Sequence, residues 1–157
     1  MEFVLLTIGK TRTTFIESGI EEYIKRLRRY TSYSIKCLPD VKGGKNTTEN
    51  MQRIREGESI LSFVLPNDHL ILLDERGTQF SSVEFAFYID KLRGSGKRRI
   101  IFCIGGPYGF SDNVYDRADE KISLSRMTFN HEMVRLFFTE QMYRAFSILS
   151  GSPYHHE

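Results

Sequence analysis

Three groups of residues in this chain have types and spacing that suggest chemistry. The first is Gly105-Gly-Pro-Tyr-Gly109, directly after the apolar run Ile100–Ile104. It is not a dinucleotide fingerprint. That pattern is GxGxxG opening a helix, with an acidic residue about 20 positions on. Here Pro107 removes an N–H where a phosphate loop needs one. Two readings remain: a plain strand-to-helix turn, or a close backbone approach to a ligand without phosphates. The second group is His131-Glu132, which begins like the zinc motif HExxH. The position that needs the second imidazole is Arg135, so no zinc site follows. The third is Arg135, Glu140 and Arg144, set in a helical run that is apolar nearly all round. Such charges are rarely buried unless paired. A helix with no broad polar face packs on more than one side, and another subunit is one way to supply the second surface.

Basic residues form a further pattern. They cluster at Arg26–Arg29, at Lys42 and Lys45, at Lys91–Arg99, and at Arg126. Taken singly, each cluster reads as a solvated helix end. Several on one small chain point to a phosphate backbone as partner.

Composition excludes other classes. The 157 residues carry a net charge of +2, with 40% hydrophobic and 27% charged side chains, so residues 1–157 are expected to form one globular domain. The two cysteines, Cys37 and Cys103, lie in separate apolar runs with no CxxC spacing, and free buried thiols are expected. No metal site is expected. His155 and His156 at the tail could at most hold an adventitious ion, and His69 at a strand start reads as structural. No run reaches the ~18 apolar residues of a membrane span. Met1-Glu2-Phe3-Val4 opens a strand and not a signal peptide. A cytoplasmic protein with no membrane partner is expected.

The elements that must position these residues follow from periodicity. Phe3–Ile8 is a continuous apolar run, hence a strand buried on both faces. Thr14 can cap a helix that runs to Lys25–Arg29. Tyr33–Leu38 alternates and reads as an edge strand. A basic loop over Pro39–Thr48 leads into a helix from about Thr48, with Met51, Ile54, Ile60, Leu61 and Val64 inward and Gly57 as a weak point. His69–Asp74 is a strand ending in Asp74-Glu75-Arg76-Gly77. Ser82 starts a helix through Phe85, Ala86, Ile89 and Leu92. Ile100–Ile104 is a second fully buried strand, Asp112–Glu120 a short helix, and Lys121–Ser125 a fifth strand. Asn130 turns the chain into a helix of about five turns. Strands alternating with helices predict an α/β fold with a mainly parallel sheet and helices on both faces. Ligands of such sheets bind beyond the carboxyl ends of the strands. Three segments lie there: Asp74–Gly77, Gly105–Gly109 and Ser125–Asn130.

Read together, Ile104-Gly-Gly-Pro-Tyr-Gly-Phe-Ser111, Ser123-Leu-Ser-Arg-Met-Thr-Phe129, His131-Glu-Met-Val-Arg135, Glu140-Gln-Met-Tyr-Arg-Ala-Phe-Ser-Ile148 and Pro153-Tyr-His155 closely resemble one family. It is the bacterial ribosomal RNA large subunit methyltransferase H family of the SPOUT superfamily. The resemblance spans essentially the whole chain. It implies an α/β fold with a deep C-terminal trefoil knot, a homodimer, and S-adenosyl-L-methionine as methyl donor. The substrate it implies is N3 of a pseudouridine in an intersubunit-bridge stem-loop of 23S rRNA, modified in the assembled ribosome. Family positions for the cofactor correspond to Leu73, Gly105, Leu124, Ser125, Arg126, Met127, Thr128 and Phe129. His156 stands where a Lys or Arg usually follows the Tyr-His pair.

The implied chemistry suits these residues. S-adenosylmethionine has no phosphate, so a slot of backbone groups beside apolar side chains is adequate. Methyl transfer to N3 depends on positioning, and the N3 proton must leave. His155 is the candidate base and Tyr154 the residue that positions the ring. Arg144 and Arg135 are candidates to stabilise the developing imide anion, while Glu140 pairs with Arg144 four residues on. Two other readings compete: a tRNA-modifying SPOUT enzyme, and a ribosome-associated RNA-binding module without catalysis.

Overall fold

The computed structural model describes residues 1–156. Five strands and five helices alternate: β1 Glu2–Ile8, α1 Thr14–Leu27, β2 Ser32–Leu38, α2 Glu49–Phe63, β3 His69–Gln79, α3 Ser82–Arg93, β4 Arg99–Ile104, α4 Asp112–Arg117, β5 Glu120–Ser123 and α5 His131–Leu149. The strands form one sheet in the order β2-β1-β4-β3-β5, and every pair is parallel. The continuous apolar runs are the inner strands and alternating β2 is at an edge, as its pattern predicts.

Both faces of the sheet are covered, and strand alternation decides which residue faces which layer. Phe3, Leu5, Ile71, Ile100 and Phe102 point to a layer built by α1, α3 and α5. Val4, Leu6, Leu70, Leu72, Ile101 and Cys103 point to the layer of α2 and α4. The first layer is rich in rings. Phe102 stands 4.7 Å from Phe138 and Phe3 6.0 Å from Phe146, centroid to centroid. Helix α5 thus runs antiparallel to the strands. Its N-terminus lies at their carboxyl ends and its Phe146 end over their beginnings.

Four local expectations are revised. Met51 and Ile54 are exposed, and α2 buries Glu56, Gly57 and Ile60 instead. A Cβ at Gly57 would collide with the Ser111 hydroxyl, so α2 approaches the chain at its glycine and its inward face is turned accordingly. Cys37 is exposed on the edge strand, whereas Cys103 is buried and its thiol pKa is raised by that burial. The N-cap of α1 is Thr13, and its side chain makes no cap bond. Glu132 of α5 accepts instead from the Arg12 and Thr13 amides and, at 2.9 Å, from the Thr13 hydroxyl. Finally, Asp74–Gly77 is not a loop after a strand. It is a displaced stretch inside β3, which meets Ile122 at Leu73 and again at Thr78.

Candidate active site

The middle of β3, the carboxyl end of β5 and the start of α5 enclose a cleft. Leu73, Asp74, Glu75, Ser123, Leu124, Ser125, Met127, Thr128, Phe129 and Val134 line it. Leu73 is fixed by register between Ile104 of β4 and Ile122 of β5. The segment after β5 holds its shape by local bonds. Ser123 Oγ donates to the Ser125 carbonyl at 3.0 Å, and the Met127 amide donates to Ser125 Oγ at 3.0 Å. Asn130 then caps α5 by accepting from the Glu132 amide. Phe129 packs on Phe137 at 5.2 Å, while Met127 is 75% exposed at the mouth. Gly105 directly follows Ile104, the partner of Leu73. A Cβ there would press the Phe110 ring at 3.1 Å, so the bare backbone is what fits. Of the eight residues predicted for a cofactor, Leu73, Leu124, Ser125, Met127, Thr128 and Phe129 share this cleft. Arg126 faces the adjoining groove with Gln79 and Phe80.

Asp74 anchors one wall. Its side chain is 8% exposed and accepts from the Arg76 amide at 2.8 Å, from Arg76 Nε and from the Tyr115 hydroxyl. Burial pushes the Asp74 carboxyl up, but these bonds outweigh it and the pKa lies below the ordinary range.

A second cluster forms where the tail folds back on α5. Glu140 Oε1 accepts from Arg144 Nη2 at 2.6 Å, from Arg144 Nε at 3.0 Å and from the Tyr154 hydroxyl at 3.0 Å. Arg144 Nη1 lies 3.2 Å from His155 Nδ1. A guanidinium only donates, so Nδ1 accepts and the proton of the neutral ring belongs on Nε2. The Tyr154 ring lies 4.8 Å from the Arg144 guanidinium and 4.7 Å from Tyr143. Its hydroxyl pKa is raised by burial first, then by Tyr23 and Glu140. Tyr154 therefore stays protonated at neutral pH and serves as a donor and a surface, not as a base.

Arg135 is not part of this cluster. It lies nine residues before Arg144, on the opposite side of α5 and about 13 Å away along the axis. It is 2% exposed and donates to the Ile8 carbonyl at 2.8 Å, the Gly9 carbonyl at 3.0 Å and Thr11 Oγ1 at 3.0 Å. The burial of this charge is matched by the Ile8 and Gly9 carbonyls at the end of β1 and by the Thr11 hydroxyl, not by a carboxylate.

Comparison with known proteins bears directly on this arrangement. Residues 1–155 match the family described as "Predicted SPOUT methyltransferase". The chain belongs to the SPOUT methyltransferase family. Curated relatives named "Ribosomal RNA large subunit methyltransferase H" match it from end to end. The protein from Christiangramia forsetii is 55% identical over 99% of both chains. Those from Porphyromonas gingivalis and Flavobacterium psychrophilum are 49% and 50% identical over all of both chains. A solved structure described as a probable methylase family protein from Haemophilus influenzae Rd KW20 shares the fold. Its TM-score is 0.53 at 12% identity, covering 95% of this chain and 66% of that one.

Within this SPOUT fold, sequence reasoning missed three supports of the site. Tyr115, the partner of Asp74, gave no signal on a six-residue helix. Glu132 stands in the zinc-like pair and in the family run His131–Arg135, and neither pointed to its partners Arg12 and Thr13. Glu56 is buried beneath the Gly105–Gly109 loop with one oxygen held by Gln52 at 3.1 Å, and is not among the inward residues predicted for α2. The signal available for it was the Glu56-Gly57 pair, since a glycine inside a helix often marks close packing.

Proposed function

We propose that the chain is an S-adenosyl-L-methionine-dependent methyltransferase that acts on N3 of a pseudouridine in a 23S rRNA intersubunit-bridge stem-loop. It works in the cytoplasm on the assembled ribosome, as a homodimer. The observation that carries this is the end-to-end match to relatives named as large-subunit rRNA methyltransferases. The cleft suits the cofactor. Leu73, Leu124, Met127, Phe129 and Val134 offer apolar surface to an adenine, and the hydroxyls and backbone of Ser123–Thr128 offer polar partners. We assign the knot of this family to the place where β3 meets Ile122 twice.

When bound, the cofactor supplies an electrophilic methyl group. The chain must then hold the target base, remove the N3 proton and stabilise the charge left on the imide. Tyr154 presents its ring to the base. Arg144 exchanges its contact with His155 for the imide oxygen, and Nδ1 of His155 takes the N3 proton. Glu140 holds Arg144 in the plane that both contacts need. These assignments rest on the four side chains meeting at one place.

Val134 at the cleft and Arg144 at the tail are ten residues apart, about 15 Å of helix axis. A second copy packed twofold and antiparallel along α5 brings the cleft of one protomer to the tail of the other. The exposed Phe15 and Phe137, on α1 and α5, are suited to that seam.

The test is mass spectrometry of 23S rRNA from a deletion strain. One methyl group should be missing from one pseudouridine and return when the gene is restored. An unchanged modification pattern sinks the proposal. Mixing a His155→Ala protomer with one whose cleft is blocked by Leu124→Trp should restore part of the activity if the site is shared between copies.

A further inference from the structure

The basic residues of this chain do not all stand in the same relation to the tail. Helices α1 and α3 flank α5, and both end beside its C-terminal half. There Arg26, Arg29 and Arg93 are held by rings, and the exposed Arg28 stands beside Arg29. Arg26 lies 5.7 Å from Tyr23 and 5.8 Å from Tyr143. Arg29 lies 5.1 Å from Tyr30 and donates to the Tyr143 hydroxyl at 3.2 Å. Arg93 of α3 lies 5.6 Å from Phe146. The rings run on to the tail. Tyr143 packs on Tyr154, Tyr154 touches Tyr23 through its hydroxyl at 3.3 Å, and His155 follows.

This arrangement treats charge differently from an ordinary surface ion pair. An aromatic face fixes the direction of a guanidinium while leaving its net charge in place. Carboxylates do enter the region. Glu22 pairs with Arg26, Asp90 with Arg93, and Glu140 with Arg144. No carboxylate among the described residues pairs with Lys25, Arg28, Arg29 or Lys91. All four are exposed. By contrast, Arg12, whose amide meets Glu132 at the start of α5, is paired with Asp40, and among the described residues no ring lies beneath Lys42 or Lys45 of the β2–α2 connection.

We propose that the arginine-tyrosine surface made by the end of α1, with Arg28 and Arg29 at its centre, receives the backbone phosphates of the RNA that flank the target nucleotide. The inference rests on the functional reading above and specifies which of the basic clusters meets the substrate. Pre-oriented cations beside the Tyr154-His155 tail set the register of the strand, and the tail handles the base. Phosphate contacts position without reading sequence, so this surface contributes affinity and salt dependence and not base choice.

The experiment compares Arg28→Gln/Arg29→Gln with Lys42→Gln/Lys45→Gln, using purified ribosomes from a strain lacking the enzyme. For the arginine pair, KM for ribosomes should rise about tenfold at physiological salt. Each lost contact should reduce the slope of log affinity against log salt by about one. kcat at saturating ribosomes and calorimetric cofactor affinity should stay at wild-type values. The lysine pair should change KM less than twofold. Unchanged KM and salt slope for the arginine pair overturn the proposal. So does a loss that coincides with dissociation of the dimer in sedimentation velocity, since the surface would then be part of the subunit seam. Ribosome binding by co-sedimentation is measured alongside. If the wild type binds ribosomes but transfers no methyl group, the enzymatic reading fails while the binding comparison still decides the surface.

Discussion

Gly77 of β3 lies flat against Ile122 of β5. A Cβ at Gly77 would stand 2.5 Å from both the backbone nitrogen and the carbonyl carbon of Ile122. Two main chains touch here, in the stretch where β3 leaves Ile122 at Leu73 and returns to it at Thr78. Space, and not an unusual backbone angle, demands the glycine, since Gly77 is not among the residues of positive φ.

Replacing it should therefore be costly. Gly77→Ala forces one backbone away from another and should destabilise the fold by about 1–3 kcal/mol or more. Urea denaturation measures this. Gly44→Ala is the control, because nothing lies within 4 Å of a Cβ there. It should be neutral or stabilise by about 0.5 kcal/mol. Equal stability of the two variants would refute the packing argument.

Arg135 should behave as a structural residue. Arg135→Met leaves the Ile8 and Gly9 carbonyls and the Thr11 hydroxyl without their donor, at a cost of about 2–5 kcal/mol. Arg135→Lys should recover only part of this, because one ammonium cannot reproduce the two-nitrogen fork. Activity per folded molecule should remain near wild type in both. An Arg135→Lys protein of full stability with a hundredfold lower kcat would place Arg135 in the chemistry instead.

The Arg144 and His155 variants should show the opposite pattern. His155→Ala should lower kcat by about 10²- to 10⁴-fold and Arg144→Ala by about 10²- to 10³-fold. Cofactor affinity by calorimetry should not move in either, since the lining of the cleft includes neither side chain. The double variant should be little worse than the more damaging single one if the two act as a unit. Simple multiplication of the two effects would separate their roles.

Asp68 gives the pH dependence of stability a definite sign. Burial pushes its carboxyl up, but Arg99, the Leu65 amide and Arg117 outweigh burial and hold it below its ordinary value. A depressed carboxyl stabilises the fold above its unfolded pKa of about 3.9 and loses that contribution as pH falls further toward the folded value. Asp68→Asn should be less stable than wild type at pH 7, and the gap should close below about pH 4. Urea midpoints at pH 7, 5, 4 and 3 decide it. A gap that stays constant over this range would show that the charge contributes nothing.

The sequence by itself determined the parallel sheet, the helices on both faces, and the ends at which the site must lie. Continuous apolar runs at Phe3–Ile8 and Ile100–Ile104 can only be strands covered on both sides, and Asn130 announces the start of α5. These are signals about which residues avoid water, and they are local. The strand-end rule brought Asp74–Gly77, Gly105–Gly109 and Ser125–Asn130 to one side of the sheet, and only the family resemblance added Leu73 and Leu124–Phe129 as named positions.

Tertiary structure decided what each buried polar group touches. Arg135 in an apolar helix demanded a partner, but the acceptors were carbonyls 126 and 127 residues away, which no spacing encodes. The phase of α2 was set by Gly57 meeting Ser111, and Asp74 found Tyr115 across the α4 layer. The distance from the cleft to Arg144 and His155 was fixed by the direction in which α5 crosses the sheet. Side-chain pattern specifies burial. Which neighbour does the burying depends on the path of the whole chain.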